Sequence, residues 1–195
     1  MRNGRPSTIM LPGPISSSAR SGVTSALLVH AGWNAVNDIL SGPDNFLNAY
    51  APMANVAQVQ RPESVLEANH LRVQMDDITE QMDGFVVPSD SHIEQVLNFV
   101  RGWDRNAPLV VHCYAGISRS TASAFAAACM LNPHRDEMSI ARQIRAASPI
   151  ASPNRLMVGL ADKALRREGR MLRALDEMGP GNMMIEGRPF RIDLD

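Results

Sequence analysis

Cys113 and Arg119 stand six positions apart in His112-Cys113-Tyr114-Ala115-Gly116-Ile117-Ser118-Arg119-Ser120, between a short apolar run and an alanine-rich stretch. With the first as a buried strand and the second as a helix, the loop between them turns successive backbone N–H groups into one concavity at the helix N-terminus. Such a concavity attracts oxyanions. Gly116 permits the tight backbone path, and the guanidinium of Arg119 can hold two oxygens of one anion at once. A thiol in this field loses its proton readily, and the thiolate is the nucleophile. The hydroxyl of Ser120 is placed to donate to that sulfur and ease its departure. A bare Cys-x5-Arg pair arises by chance, and a buried structural cysteine beside a coincidental arginine is the plainer reading. The preceding His112, the internal Gly116, the following Ser120 and the strand-loop-helix setting make the signal specific. The cradle is then the backbone of Tyr114, Ala115, Gly116, Ile117 and Ser118, closed by Arg119.

The elements that must position this loop are legible from residue 70 onward. Leu71, Val73 and Met75 alternate with polar residues, which predicts a strand with one buried face. Ser91-His92-Ile93-Glu94 has capping-box spacing, and Ile93, Val96, Leu97 and Val100 share one helical face. Leu109-Val110-Val111 suits a buried central strand, so strand, helix and strand predict a parallel βαβ unit. Thr121 to Met130 reads as a buried helix. Asp136 can cap another, with Ile140, Ile144 and Ala147 inward, and Ser152-Pro153 offers the start of a third. Its apolar stripe runs through Leu156, Met157, Leu160, Ala161, Ala164 and Leu165, with an interruption at Gly169 before Met171, Leu172 and Leu175. Residues 1–55 are poorly assigned: Ser7–Leu11 reads as a short strand and Trp33, Val36, Ile39 and Leu40 as a helix. Val56–Val59 reads as a further strand, and residues 179–195 as a C-terminal tail. No repeat or linker divides the chain. The expected fold is a single α/β domain over 1–195, with a central, mainly parallel sheet flanked by helices and a helix-rich C-terminal half.

Composition narrows the function classes. The chain has 195 residues, 45% hydrophobic and 20% charged, enough apolar content for a core and too much for a disordered chain. Its longest apolar run, Ala124 to Leu131, is eight residues, whereas a membrane-spanning helix needs roughly 20. A net charge of −1 gives no general pull toward nucleic acid or anionic membrane. The local excess of positive charge in 135–173 alternates with apolar positions and reads as solvated helix faces. The basic N-terminus is followed by no long apolar stretch, which argues against secretion. Two cysteines make neither a disulfide framework nor a four-cysteine zinc site, so a reducing cytoplasm is expected. His30, His70, His92 and His134 lack metal-ligand spacing, Cys129 reads as core, and Trp33 and Trp103 read as core or interface.

The segment His112-Cys113-x-x-Gly116-x-x-Arg119-Ser120 resembles the signature loop of the cysteine-dependent protein tyrosine phosphatase superfamily. Ala115-Gly116-Ile117-Ser118-Arg119-Ser120 is especially similar to dual-specificity members, and the likeness extends with decreasing clarity from about residue 70 to residue 165. Small bacterial proteins of the superfamily are similar too. The resemblance implies a general acid, an aspartate on a separate loop after a strand. Asp77, 36 residues before Cys113, takes that position, with Asp76 the adjacent competitor and Asp83 and Asp90 further candidates. It also implies that Asn154, in Ser152-Pro153-Asn154, braces active-site loops and that His112 fixes the cysteine's loop. The implied chemistry is attack by Cys113 on phosphorus, proton donation by Asp77 and hydrolysis of a phosphocysteine, with no metal and no cofactor.

The substrate implied is a phosphorylated protein or peptide, phosphotyrosine first and phosphoserine or phosphothreonine second, with no nucleic acid, no membrane and an oligomeric state left open. Phosphoinositide or RNA 5′-phosphate hydrolysis is disfavoured, because Tyr114, Ala115, Ile117 and Ser118 put no charge in the loop. An idle phosphate-binding module and a rhodanese-like sulfurtransferase complete the alternatives. Ser120 and the upstream aspartate fit phosphoryl chemistry better than sulfur transfer.

Overall fold

The computed structural model describes residues 26–31, 61, 65–185 and 187–194. The strands read at Ser7–Leu11 and Val56–Val59, and the helix around Trp33, lie outside the described residues. Three strands and five α-helices form within them: β1 (Ala26–Ala31), α1 (Asp90–Gly102), β2 (Leu109–Cys113), α2 (Arg119–Leu131), α3 (Glu137–Ala147), α4 (Arg155–Ala164), α5 (Arg170–Met178) and β3 (Phe190–Asp193). The chain is α/β with its helices concentrated in the C-terminal half.

The strand that carries the cysteine is set by its neighbour. β2 pairs in parallel with β1, placing Leu27 opposite Leu109 and Ala31 opposite Cys113. All five β2 residues are buried, as the run of β-branched and apolar residues requires. The other edge of β1 pairs antiparallel with β3, with Val29 opposite Phe190 and Ala26 opposite Asp193. The described sheet is therefore mixed, in the order β2-β1-β3, and its parallel pair holds the site. β1 lies in the poorly assigned residues 1–55, where no strand was expected at this place, and β3 inside residues read as a tail.

The predicted strand over 71–75 is a corrected element. Val73 and Met75 are buried and Arg72 and Gln74 exposed, as the alternation demands, but the segment runs extended without joining the described sheet. The parallel partner of β2 is β1, not this segment.

Helix α2 is buried on every side from Arg119 to Cys129, which its small residues allow. It packs on β1, β2, α1, α3 and α4 and forms the hub of the core. α1 presents Ile93, Val96, Leu97 and Val100 as predicted, but its N-cap is Ser89. The Ser89 N–H donates to Nδ1 of His92, in place of the expected Ser91–Glu94 box. Asp136 caps α3 by accepting from the Ser139 N–H at 2.9 Å; Ile140 and Ile144 are inward, while Ala141 takes the buried place expected of Ala147. Gly169, at φ +80°, starts α5 in a left-handed conformation open to glycine. The buried Asp162 carboxylate receives the N–H groups of Gly169 and Met171 at 2.6 and 2.8 Å and fixes that turn. Trp103 is a core residue, its Nε1–H bonded to the Ala107 carbonyl at 2.9 Å.

His70 opens the extended segment that leads to Asp77. Its Nε2 is buried without a hydrogen-bond partner among the described residues. Burial first, then the charges of Arg72 and Arg61, push its pKa down to about 4 from 6.5. An unfolded histidine takes up a proton near 6.5, whereas the folded one refuses it until about 4. Between those values the unfolded state binds more protons, so stability falls as pH falls through that window. Urea unfolding midpoints measured at pH 7, 5.5 and 4.5 should drop less in His70→Leu than in the unsubstituted chain. Parallel slopes would show that His70 contributes nothing to acid sensitivity.

Candidate active site

Cys113 ends β2 and Arg119 begins α2, so the loop between them joins a buried strand to the N-terminus of a buried helix. Gly116 sits at φ +69°, a backbone conformation that a side chain strains, and this turn brings its N–H back to the cysteine. The Gly116 N–H donates to Cys113 Sγ at 3.2 Å, and Ser120 Oγ lies 3.2 Å from the same sulfur. Cys113, Arg119 and Ser120 are buried, Ala115, Ile117 and Ser118 half-buried, and Tyr114 stands 68% exposed at the mouth. His112 is buried behind the loop.

The carbonyls of this loop are held from outside. Gly187 N–H donates to Ala115 O at 2.7 Å, Ser152 N–H to Ile117 O at 2.9 Å, and Asn154 N–H to Ser118 O at 3.3 Å. A trans peptide points its C=O and the next N–H in opposite directions. The N–H groups of Gly116, Ser118 and Arg119 therefore face the other way, toward the cradle side.

Asp77 comes to this loop from the extended segment. Its Oδ1 accepts from Ser118 Oγ at 2.7 Å and from Asn154 Nδ2 at 2.8 Å, and its Oδ2 lies 3.7 Å from Arg119 Nε. Arg119 Nη1 donates to the Met75 carbonyl at 2.9 Å, so the buried guanidinium is seated on the same segment. Arg119 Nε is a buried donor with no hydrogen-bond acceptor among the described residues, a group that an oxyanion would satisfy.

The competing carboxylates are occupied elsewhere. Asp76 Oδ2 accepts the Val86 N–H at 2.7 Å while its own N–H bonds the Val86 carbonyl at 2.7 Å, closing the loop between them. Asp90 pairs with Lys163 Nζ at 3.0 Å on the surface. Asp83 is exposed in the turn of that same loop. Cys129 is fully buried in α2, and burial pushes its thiol up to about 12, which suits a core residue. Among the described residues no group of three or more His, Cys, Asp or Glu side chains could hold a metal ion.

Asn154 does two tasks. Its Nδ2 grips Asp77 Oδ1 and, at 3.3 Å, the Ile78 carbonyl, while its Oδ1 accepts the Met157 N–H at 3.1 Å and caps α4. The cap expected at Ser152 thus falls at Asn154, with Pro153 just outside the helix. Two contributors escaped the sequence reading. The hydroxyl of Ser118 tethers Asp77, although only its backbone was singled out, and Gly187 holds the loop from a segment read as a tail.

Residues 57–150 match the family model described as protein-tyrosine phosphatase. That span includes Asp77 and the whole of the loop from Cys113 to Ser120 and ends before Asn154 and Gly187. No curated protein matches the chain significantly. A crystal structure of DUSP15 is similar, at 21% identity over 77% of this chain and 90% of that one, with a TM-score of 0.49.

Replacing Asn154 separates its two tasks. Asn154→Ala removes both cap and tether and should lower stability by about 1 kcal/mol, within the usual range for a lost N-cap. Asn154→Ser retains a capping oxygen, so it should unfold closer to the unsubstituted chain. Limited proteolysis should cut the loop after Asp77 faster in both variants. Unchanged cleavage would mean that Asn154 does not hold that loop.

Proposed function

We propose that this chain, which belongs to the cysteine-dependent protein tyrosine phosphatase superfamily and is a hydrolase of that kind, removes phosphate from phosphorylated proteins or peptides through a phosphocysteine. The observation that carries the reading is the docking of Asp77 on the loop that holds Cys113 and Arg119. A nucleophile, an anion clamp and a carboxyl group from another segment meet in one place, which is the minimum that phosphoryl transfer to sulfur requires.

In the first step the Cys113 thiolate forms a bond to phosphorus as the bond to the ester oxygen breaks. Arg119 and the loop N–H groups hold the equatorial oxygens as charge shifts onto them. Asp77 gives its proton to the departing oxygen. Oδ1 already accepts two hydrogen bonds, from Ser118 and Asn154, so Oδ2 is the oxygen that carries the proton. In the second step water attacks the phosphocysteine, Asp77 takes a proton from it, and the sulfur leaves as thiolate. Ser120 Oγ, 3.2 Å from that sulfur, supports the leaving group by donating to it.

The groove beside Asp77 and Ser118 continues over Ile78, Met82 and Pro153. Thr79, Glu80 and Arg155 also line that groove; its apolar side, next to the proton donor, suits an aryl leaving group, which favours phosphotyrosine over the aliphatic esters. Among the described residues no helix is long and apolar enough to cross a membrane. A reducing cytoplasm is the compartment that would keep the Cys113 thiol available.

Hydrolysis of para-nitrophenyl phosphate tests the assignment. Cys113→Ser should abolish turnover. Asp77→Ala should lower kcat by about 10²-fold or more, the usual contribution of a positioned acid, and Asp76→Ala far less. Equal losses in the two aspartate variants, or turnover surviving in Cys113→Ser, would overturn the scheme.

A further inference from the structure

We infer that the segment joining α5 to β3 is part of the catalytic apparatus, with Gly187 as a positioning residue that holds the Cys113 thiolate through a single peptide plane. This inference rests on the phosphatase reading only for its consequence on turnover.

The segment leaves α5 at Met178 and is fastened along its length. Arg145 Nη2 donates to the Gly179 carbonyl at 2.7 Å, and the Asn182 N–H donates to the Pro149 carbonyl at 3.0 Å. At its far end β3 pairs with β1, burying Phe190 and Ile192. Between these anchors the Gly187 N–H reaches the Ala115 carbonyl at 2.7 Å, the shortest of the backbone hydrogen bonds that hold the loop carbonyls from outside.

That carbonyl shares its peptide unit with the Gly116 N–H, which donates to Cys113 Sγ at 3.2 Å. The two groups point in opposite directions from one rigid plane. Pulling on the oxygen from outside therefore aims the N–H at the sulfur inside. If the plane rotated, the sulfur would lose a donor that favours its charged form.

Position 187 also has little room for anything larger. A Cβ there would lie 3.2 Å from both the Ala115 and Gly116 carbonyl oxygens and 3.4 Å from Ile150 Cδ1. A side chain would press on the two carbonyls that frame the turn at Gly116. The close approach favours glycine, since a Cβ would make these neighbours give by a few tenths of an ångström, and its N–H supplies the grip.

The test reads the thiolate directly and needs no turnover, so its failure is distinct from failure of the phosphatase reading. The rate of Cys113 alkylation by iodoacetamide is followed against pH, with Cys113→Ser subtracting any contribution of Cys129. Gly187→Pro deletes the donor, and Gly187→Ala keeps it but pushes the carbonyls. Both should move the midpoint of the alkylation profile upward by about one pH unit, the size expected for losing one hydrogen bond to a charged group. Below the midpoint that is about a tenfold slower reaction. Arg188→Ala, at an exposed neighbour, should leave the profile in place. If Gly187→Pro does not fold, Gly187→Ala decides. A lower melting temperature with an unmoved midpoint would reduce Gly187 to a structural residue and overturn the inference.

Discussion

Several peptide N–H groups converging on one point set like partial charges against one another, and a chain left to itself relaxes away from that arrangement. In this protein the constraint is met from the outside, through the oxygens. Ala115, Ile117 and Ser118 each have their carbonyl held by a backbone N–H from beyond the loop, from Gly187, Ser152 and Asn154 respectively. Each such bond contributes only about 0.5–1.5 kcal/mol. Together they select one orientation for three peptide planes, and everything at the centre follows from that choice. Cys113 receives the Gly116 N–H, the helix N-terminus of α2 faces the cradle, and Arg119 leaves the loop on the side where Asp77 waits.

The same economy couples the two halves of the site. Arg119 is buried with its Nη1 on the Met75 carbonyl, two residues before Asp77. Val73 and Met75 anchor that stretch in the core, so the segment cannot slide without withdrawing both side chains from it. A guanidinium seated on the segment that carries Asp77 fixes the distance between the two side chains. Ser118 and Asn154 complete the lock by holding Asp77 Oδ1, and Asn154 passes the constraint into α4 by capping it. Displacing any one of these groups moves the others, because each uses backbone or carboxylate atoms that another also touches.

What the sequence disclosed and what it concealed divide along the range of the interactions. The loop from Cys113 to Ser120, the strand before it and helices α1 to α5 rest on neighbours within a few residues, where periodicity and capping chemistry are visible. β1 has no alternation to betray it: Ala26, Leu27 and Val29 are all fully buried, and a short apolar run between Ser21-Gly22 and Gly32 does not by periodicity tell a buried strand from a buried helix. β3 does alternate, with Phe190, Ile192 and Leu194 buried against Arg191 and Asp193, but over so few residues that the pattern becomes a strand only because β1 offers an edge. Over 71–75 the alternation was right about burial, but the segment makes only isolated bridges, at His70 and Gln74, and is no strand of the described sheet, since period-two exposure reports a buried face and not a ladder partner. The displaced caps at Ser89 and Asn154 have the same origin, because several residues near each helix start could accept the bond and tertiary contacts chose among them. Asp77 and Asp76 are chemically alike, and tertiary contacts separate them: Asp76 closes on Val86, while Asp77 reaches Ser118 and Asn154.

The matched family span ends at residue 150, yet two of the three outer grips on the loop, from Ser152 and Asn154, come just after it, and the third from Gly187. The contrast has a physical basis. On the proposed reading, the inward face of the loop meets one fixed demand, an oxyanion beside a thiolate, which leaves few residue types free to vary. The outward face asks only for N–H donors at the right positions, and any backbone can supply those if the fold brings it near. Main-chain donors leave almost no trace in side-chain identity, apart from a glycine where a Cβ would crowd the approach, as at Gly187. The chemistry of such a site is therefore written where the side chains are, and its support is written mostly in the topology that carries β3 back to β1.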